Sequence, residues 1–415
     1  MTADRPPRPL AVIVTMCAAH IASMTGFAVF PSLLPTLQPL WDLSSTQAGW
    51  INGIYFAGYV SAVPVMVSLT DRVDARYVYL AGLALGAIGL AGFAMAADGF
   101  WSALLWHALQ GAGVGSSYMT GLKVMTDRLP KPAPSRAIAI YAANFSVGAA
   151  LSFLLAGALG NGPGWQWAFG VAAFGPVCAA LLVLTLLRPR PPEPAERPAT
   201  GLLDFRPVFR NRTAMGYVLG YAGHSWELFA LRGWIVTFLV FAGVGGAAGT
   251  GSGETGLLGA TAIAAAVNIA GVPSTIFGNE LAQRFGRRRV IVTVMTISTL
   301  VSWAVGFSPS LSATVVIALT FVYGIAIMGD SGSLTAGAAG SAEPGYGGAT
   351  LAVHSMLGFG GGFLGPLAVG LVLDLAGGQA STLAWGLAFA TMGFGSAAGA
   401  VALLWVTRRR GGAAR

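Results

Sequence analysis

The feature that most constrains this chain is a row of twelve apolar stretches, each about twenty residues or longer, separated by short polar segments. They run at 10–35, 47–69, 77–97, 101–123, 137–160, 165–187, 213–242, 256–278, 289–307, 311–334, 348–373 and 381–406. A helix of roughly 20 residues crosses a bilayer core about 30 Å thick and satisfies its own backbone groups on the way. Twelve such stretches in 415 residues predict an all-α membrane protein with twelve transmembrane helices. Composition agrees, since only 9% of residues are Asp, Glu, Lys or Arg, against about 25% in ordinary globular chains. Too few charges remain to clothe a soluble protein of this size, which excludes a cytosolic enzyme and a secreted disulfide scaffold. The first stretch is longer than the roughly 7–15 apolar residues of a signal peptide and leads straight into more spans.

The loops set the orientation. With the N-terminus inside, the inner segments hold Arg5 and Arg8, Arg72 and Arg76, then Lys123, Arg128, Lys131 and Arg136. A central segment follows with Arg188, Arg190, Arg197, Arg206, Arg210 and Arg212, then Arg284, Arg287, Arg288 and Arg289, and a tail with Arg408, Arg409, Arg410 and Arg415. Of the 23 basic residues only Arg232 lies elsewhere, and the outer loops hold none. By the positive-inside rule both termini are expected in the cytoplasm. The net charge of +8 therefore reports topology and no nucleic-acid partner.

The one long polar interruption, 188–212, carries Pro189, Pro191, Pro192, Pro194, Pro198 and Pro207, which oppose a continuous helix. It divides the chain into an N-terminal six-helix half (1–187), a Pro/Arg-rich cytoplasmic linker (188–212) and a C-terminal half (213–415). Recurrences at a nearly constant offset support two related halves, as in repeat-built transporters. Asp71 to Arg76 follows span two and Gln283 to Arg288 follows span eight; Gly111, Gly148 and Gly157 recur as Gly324, Gly361 and Gly370.

These segments resemble the major facilitator superfamily. Its loop between spans two and three carries Gly-x-x-x-Asp-Arg-x-Gly-Arg-Arg, matched here by Asp71, Arg72 and Arg76, with Val67 and Asp74 in place of the glycines and Ala75 in place of one arginine. The second-half copy is Arg284, Gly286, Arg287 and Arg288, with Gln283 for the acid. His107 to Gly113 resembles the family's Arg-x-x-Gln-Gly-x-Gly, with His107 in the arginine position and Gln110 and Gly111 kept. The resemblance implies a pseudo-twofold pair of six-helix halves, a cavity lined by spans one, four, seven and ten, and a conformational role for Asp71 and Arg72. Span five lacks the Gly-Pro pair of the family's drug/proton antiporters; a Gly-Pro run with Pro366 lies in span eleven instead.

Polar residues inside the spans are the candidate site. His20, His107, His224 and His354 all fall there, with Glu227, Arg232 and Asp330. A charge at mid-bilayer costs about 2.5–3.5 kcal/mol on insertion scales, so such groups pair or face a wet cavity. His224 and Glu227 are three apart on one helix and share a face. Arg232 lies about 140° around the helix from Glu227, so it is expected to meet the solute or a carboxylate such as Asp330.

No phosphate loop and no metal-spaced His/Cys cluster occurs, so neither cofactor nor metal is expected and the chain is not an enzyme. The expectation is a secondary transporter in a bacterial inner membrane, moving a small solute, an anion in view of Arg232, by alternating access with proton symport. Its partners are that solute, protons and the lipid bilayer, and it is expected to be monomeric. The alternatives are an efflux pump for amphipathic compounds and a sensor that moves nothing.

Overall fold

Backbone groups shielded from water favour helix, and prolines, glycines and buried polar side chains decide where each helix stops. The computed structural model describes residues 9–70, 72–130, 135–160, 162–190, 205–244 and 253–406. The first run of helices comprises α1 (Pro9–Ser23), α2 (Val29–Leu40), α3 (Ser45–Leu69), α4 (Ala75–Ala96), α5 (Phe100–Asp127), α6 (Ser135–Gly160) and α7 (Trp165–Leu186). After a short α8 (Arg206–Arg210) come α9 (Arg212–Phe241), α10 (Gly253–Phe285), α11 (Arg287–Gly306), α12 (Ala313–Met328), α13 (Ser331–Gly340), α14 (Gly347–Leu375) and α15 (Thr382–Val406).

Among the described residues, nine stretches are long and apolar enough to cross a membrane. The expected spans outside that set are the first, fourth and seventh, at α1–α2, α5 and α9. These are the segments where His20, His107, and His224 with Glu227 and Arg232, replace apolar residues. Large apolar side chains stand bare on the helices, among them Met95, Trp101, Phe174, Phe277 and Trp405. In water such exposure would promote association; in lipid it costs nothing.

Two expected spans are broken. The first, expected as one helix over 10–35, unwinds at 24–28 between α1 and α2. Pro31 has no N–H for a helical bond to Phe27, so a continuous helix is opposed there. Backbone carbonyls take several of the freed N–H groups, Phe27 N donating to Met24 O at 3.0 Å, and side chains meet others. Ser152 Oγ accepts from Ala28 N (2.9 Å) and donates to Thr25 O (2.6 Å), and Gln110 Nε2 donates to Gly26 O (2.7 Å). Gly26 allows the close approach, because a Cβ there would stand 2.7 Å from Gln110 Nε2. Span ten, expected over 311–334, breaks at Gly329 and Asp330, between α12 and α13. Non-helical backbone at membrane depth is tolerated where it is buried in protein in this way.

The chain divides into two compact units: Met1–Leu43, Ile54–Glu196 and Gly246–Ile269 form one, and Ser44–Gly53, Arg197–Gly245 and Ala270–Arg415 the other. The division is not a single cut at the linker, because the first turns of α3 group with the second unit and the first half of α10 with the first. In the first unit α4 packs along α5 and α7. In the second, α9 is central, flanked by α14, α15 and α13. Asp374, exposed near the end of α14, caps α3. It accepts from Ser45 N (2.9 Å), Thr46 N (2.7 Å) and Thr46 Oγ1 (2.6 Å).

Candidate functional site

Helix α9 organises the polar residues of the second unit. Tyr221, His224 and Glu227 follow at three-residue spacing, so they climb one flank of the helix. The ring of Tyr221 lies 5.6 Å from that of His224, nearly parallel at 19°. His354 of α14 stacks on the same Tyr221 ring at 3.9 Å and 18°. Thr335 Oγ1 of α13 is 3.2 Å from His354 Nε2. Where span ten breaks, Asp330 leaves the helix and its Oδ1 stands 2.7 Å from His224 Nδ1. The approach is close, but it departs from the straight geometry of a hydrogen bond, and neither atom has another partner. His224 and Asp330 are 1% and 2% exposed, so the pair is sealed from water in this state. An imidazole and a carboxylate at this distance can hold one proton between them, as an ion pair or as two neutral groups.

Glu227 belongs to a different cluster. Its Oε1 accepts from Tyr323 of α12 (3.0 Å), and its Oε2 accepts from Ser298 of α11 (3.0 Å) and from Ser396 of α15. The expected partnership of Glu227 with His224 does not form, because three hydroxyls from three other helices saturate the carboxylate. Asp330, expected opposite Arg232, is taken by His224. Arg232, also buried, lies with its guanidinium carbon 5.6 Å from the Phe229 ring. The sequence brings together His224, Asp330 and His354, with Glu227 and Arg232 further along the same α9.

The remaining histidines lie in the first unit. His107 Nδ1 is 3.1 Å from Gln110 Oε1. Since Gln110 spends its amide donor on Gly26 O, its oxygen accepts and His107 Nδ1 carries the proton. His107 thus orients the residue that holds the unwound turn. His20 is caged by Tyr118, Tyr141 and Phe145.

Of the conformational motif, Asp71 lies outside the described residues. Arg72 is exposed; Arg76 is buried and donates to Leu184 O (2.9 Å). Gly286 sits before α11 at φ +92°, a backbone conformation suited to glycine, and Arg284 pairs loosely with Glu280 (3.6 Å). Arg288 reaches Leu404 O at 3.5 Å, and Arg287 is half-buried. The residue that ties this end of the first unit together is Asp74, which occupies a glycine position of the family pattern. It caps α4 through Arg76 N (2.9 Å), meets Arg128 Nη2 (3.5 Å) and accepts from Arg190 N. Arg128 in turn donates to Arg188 O (2.8 Å). Burial pushes the Arg128 guanidinium below its ordinary value while Asp74 opposes the shift. An Asp directly before an apolar helix is a capping signal, and it was available in the sequence. The hydroxyls of Ser298, Tyr323 and Ser396 carried none, since serines and tyrosines are scattered through many spans.

Among the described residues no three His, Cys, Asp or Glu side chains gather to hold a metal. Helices with apolar exteriors and a buried acid–imidazole set define a membrane carrier rather than a soluble catalyst. The description Major Facilitator Superfamily matches residues 16–366, and the chain belongs to that superfamily, whose members are transporters and not enzymes. It is similar to human protein spinster homolog 1, 23% identical over 250 residues, which are 58% of this chain and 47% of that protein. A probable sphingolipid transporter, spinster homolog 1 of Arabidopsis thaliana, is 22% identical over 157 residues, 38% of this chain and 31% of that one. The chain spans about half or less of the length of these curated relatives. In fold it is similar to a bacterial homolog of the human lysosomal transporter Spinster, inward-facing and unoccupied, with TM-score 0.73 and 18% identity over 97% of this chain and 96% of that one. The nucleoside transporter NupG superposes with TM-score 0.74 and 15% identity over 97% and 99% of the two chains.

Proposed function

We propose that this chain carries a small organic anion across a cell membrane by alternating access, coupled to protons. The observation that carries the reading is the sealed His224–Asp330 contact at the break in span ten. A buried acid and imidazole with no other partner are costly unless they exchange a proton when the site opens. Arg232, which keeps its charge, supplies the fixed positive group for the anion. His354, stacked on Tyr221 and touching Thr335, extends the same polar strip, while Glu227 holds α9 to its neighbours. Twelve passes with both termini inside belong to this reading, with α1–α2 and α12–α13 each counted as one broken pass. Cysteines placed at 251–253 are then labelled from outside and at 193–197 from inside.

An amphipathic solute is the second reading, favoured by the likeness to the Arabidopsis relative, a probable sphingolipid transporter. One experiment separates the two. Proteoliposomes with an acid exterior are offered labelled 4-sulfobenzoate, which stays anionic and does not cross lipid unaided, or a labelled single-chain lipid. The first reading expects the anion to accumulate and a protonophore to stop it; accumulation of the lipid alone favours the second.

A further inference from the structure

His354 of α14 is a buried imidazole outside the His224–Asp330 pair. It is 3% exposed and stacks on Tyr221, whose ring also packs on His224. Its two nitrogens differ. Thr335 Oγ1 stands 3.2 Å from Nε2, and the same hydroxyl donates its one proton to Ser331 O at 3.1 Å. That oxygen can therefore only accept from the ring, so Nε2 carries the imidazole proton and Nδ1 is a bare acceptor. Nδ1 is buried and meets no hydrogen-bond donor. Buried polar atoms nearly always find partners. A bare imidazole nitrogen that no side chain meets can take up a proton, which needs no cavity.

The Nε2 side leads outward. Ser331 is half-buried, Thr335 and Ala339 are exposed, and their four-residue spacing sets them on one face of α13. Faces turned to lipid elsewhere carry Met95, Trp101, Phe174 and Phe277. This face is small and polar instead, which fits a water-filled cavity. His354 thus adjoins both the ring that packs on His224 and a hydroxyl that water reaches. The titratable groups around it are Tyr221 and His224 of α9 and Asp330 at the break in span ten. Helices α13 and α15 carry none, and Arg206 and Arg210 of α8, which packs on the start of α14, are exposed.

We propose that His354 is the relay through which the proton of the His224–Asp330 pair leaves the protein. As the site opens, that proton is taken at Nδ1. The Nε2 proton passes to Thr335 Oγ1, whose own proton goes to water, and a half-turn of the neutral ring restores the first tautomer. One N–H bond forms, one breaks, and one proton is moved. The inference rests on the proton-coupled reading and names the route within it. Proteoliposomes holding pyranine are given 4-sulfobenzoate from outside, and exchange of labelled 4-sulfobenzoate is timed separately at equal pH on the two sides. Net uptake must release the proton, whereas exchange can turn over with it retained. His354→Gln keeps an amide N–H for Thr335 but cannot relay. Thr335→Val keeps the volume of an exposed residue and removes the hydroxyl. A positioned side chain speeds proton transfer by about 10²–10⁴, so both variants should acidify the lumen at least about tenfold more slowly than the parent, with exchange within about twofold. Parental acidification in either variant overturns the relay, as does an equal fall in exchange, which marks a structural role. A parent that takes up the anion without acidification faults the coupled reading itself and takes the relay with it.

Discussion

Glu227 offers the sharpest test of how the buried polar groups divide their work. Three hydroxyls from α11, α12 and α15 converge on its carboxylate, so the side chain ties α9 to three neighbours. Interhelical hydrogen bonds in membrane proteins average about 0.6 kcal/mol and reach about 1.7, so three sum to roughly 2–5 kcal/mol. Glu227→Ala removes all three. At about 2–4 °C per kcal/mol, the heat-aggregation midpoint in detergent should fall by roughly 4–20 °C. Glu227→Gln keeps one acceptor oxygen and the shape, so its midpoint should fall by about 1 kcal/mol equivalent, roughly 2–4 °C. Midpoints are read by fluorescence-detected size exclusion after graded heating, beside pH-driven uptake in proteoliposomes. A Glu227→Ala protein that melts with the parent would refute the tie. So would a Glu227→Gln protein of parental stability that binds and exchanges solute but no longer accumulates it, since Glu227 would then be the proton carrier.

Asp74→Ala, which removes the α4 cap and the Arg128 contact, should cost about 1–2 kcal/mol in the same melting assay, whereas Arg72→Ala should be neutral. Arg232→Lys keeps the charge but loses the planar fork, so the KM for a transported anion should rise about tenfold at unchanged melting midpoint. Gly111→Ala would set a Cβ 1.8 Å from the Tyr55 carbonyl oxygen and force α5 off α3, whereas Gly360→Ala meets nothing within 4 Å. Expression and monodispersity should collapse in the first and stay parental in the second.

The helices were legible because lipid demands long apolar segments, and the polar histidines stood out against them for the same reason. Partner choice was less legible. His224 and Glu227 share a flank of α9, yet one meets Asp330 and the other three hydroxyls, because neighbouring helices approach that flank from different directions. Spacing on one helix cannot register those approaches. The break at 24–28 was hidden too: Pro31 announced a disturbance, but the compensation comes from Ser152 and Gln110, more than 80 residues away. Asp74 was seen only as a departure from a family pattern, though its place before an apolar run marks a cap.

The central claim, that the His224–Asp330 pair takes up and releases the coupled proton, is tested most directly by solute-driven proton flux. Proteoliposomes containing the dye pyranine are given 4-sulfobenzoate, an aromatic acid whose sulfonate keeps it from crossing lipid unaided, and the internal pH is followed for the parent, Asp330→Asn and His224→Gln. The account predicts internal acidification in the parent, and exchange of the anion without acidification in both variants. Acidification at the parental rate in Asp330→Asn would contradict it.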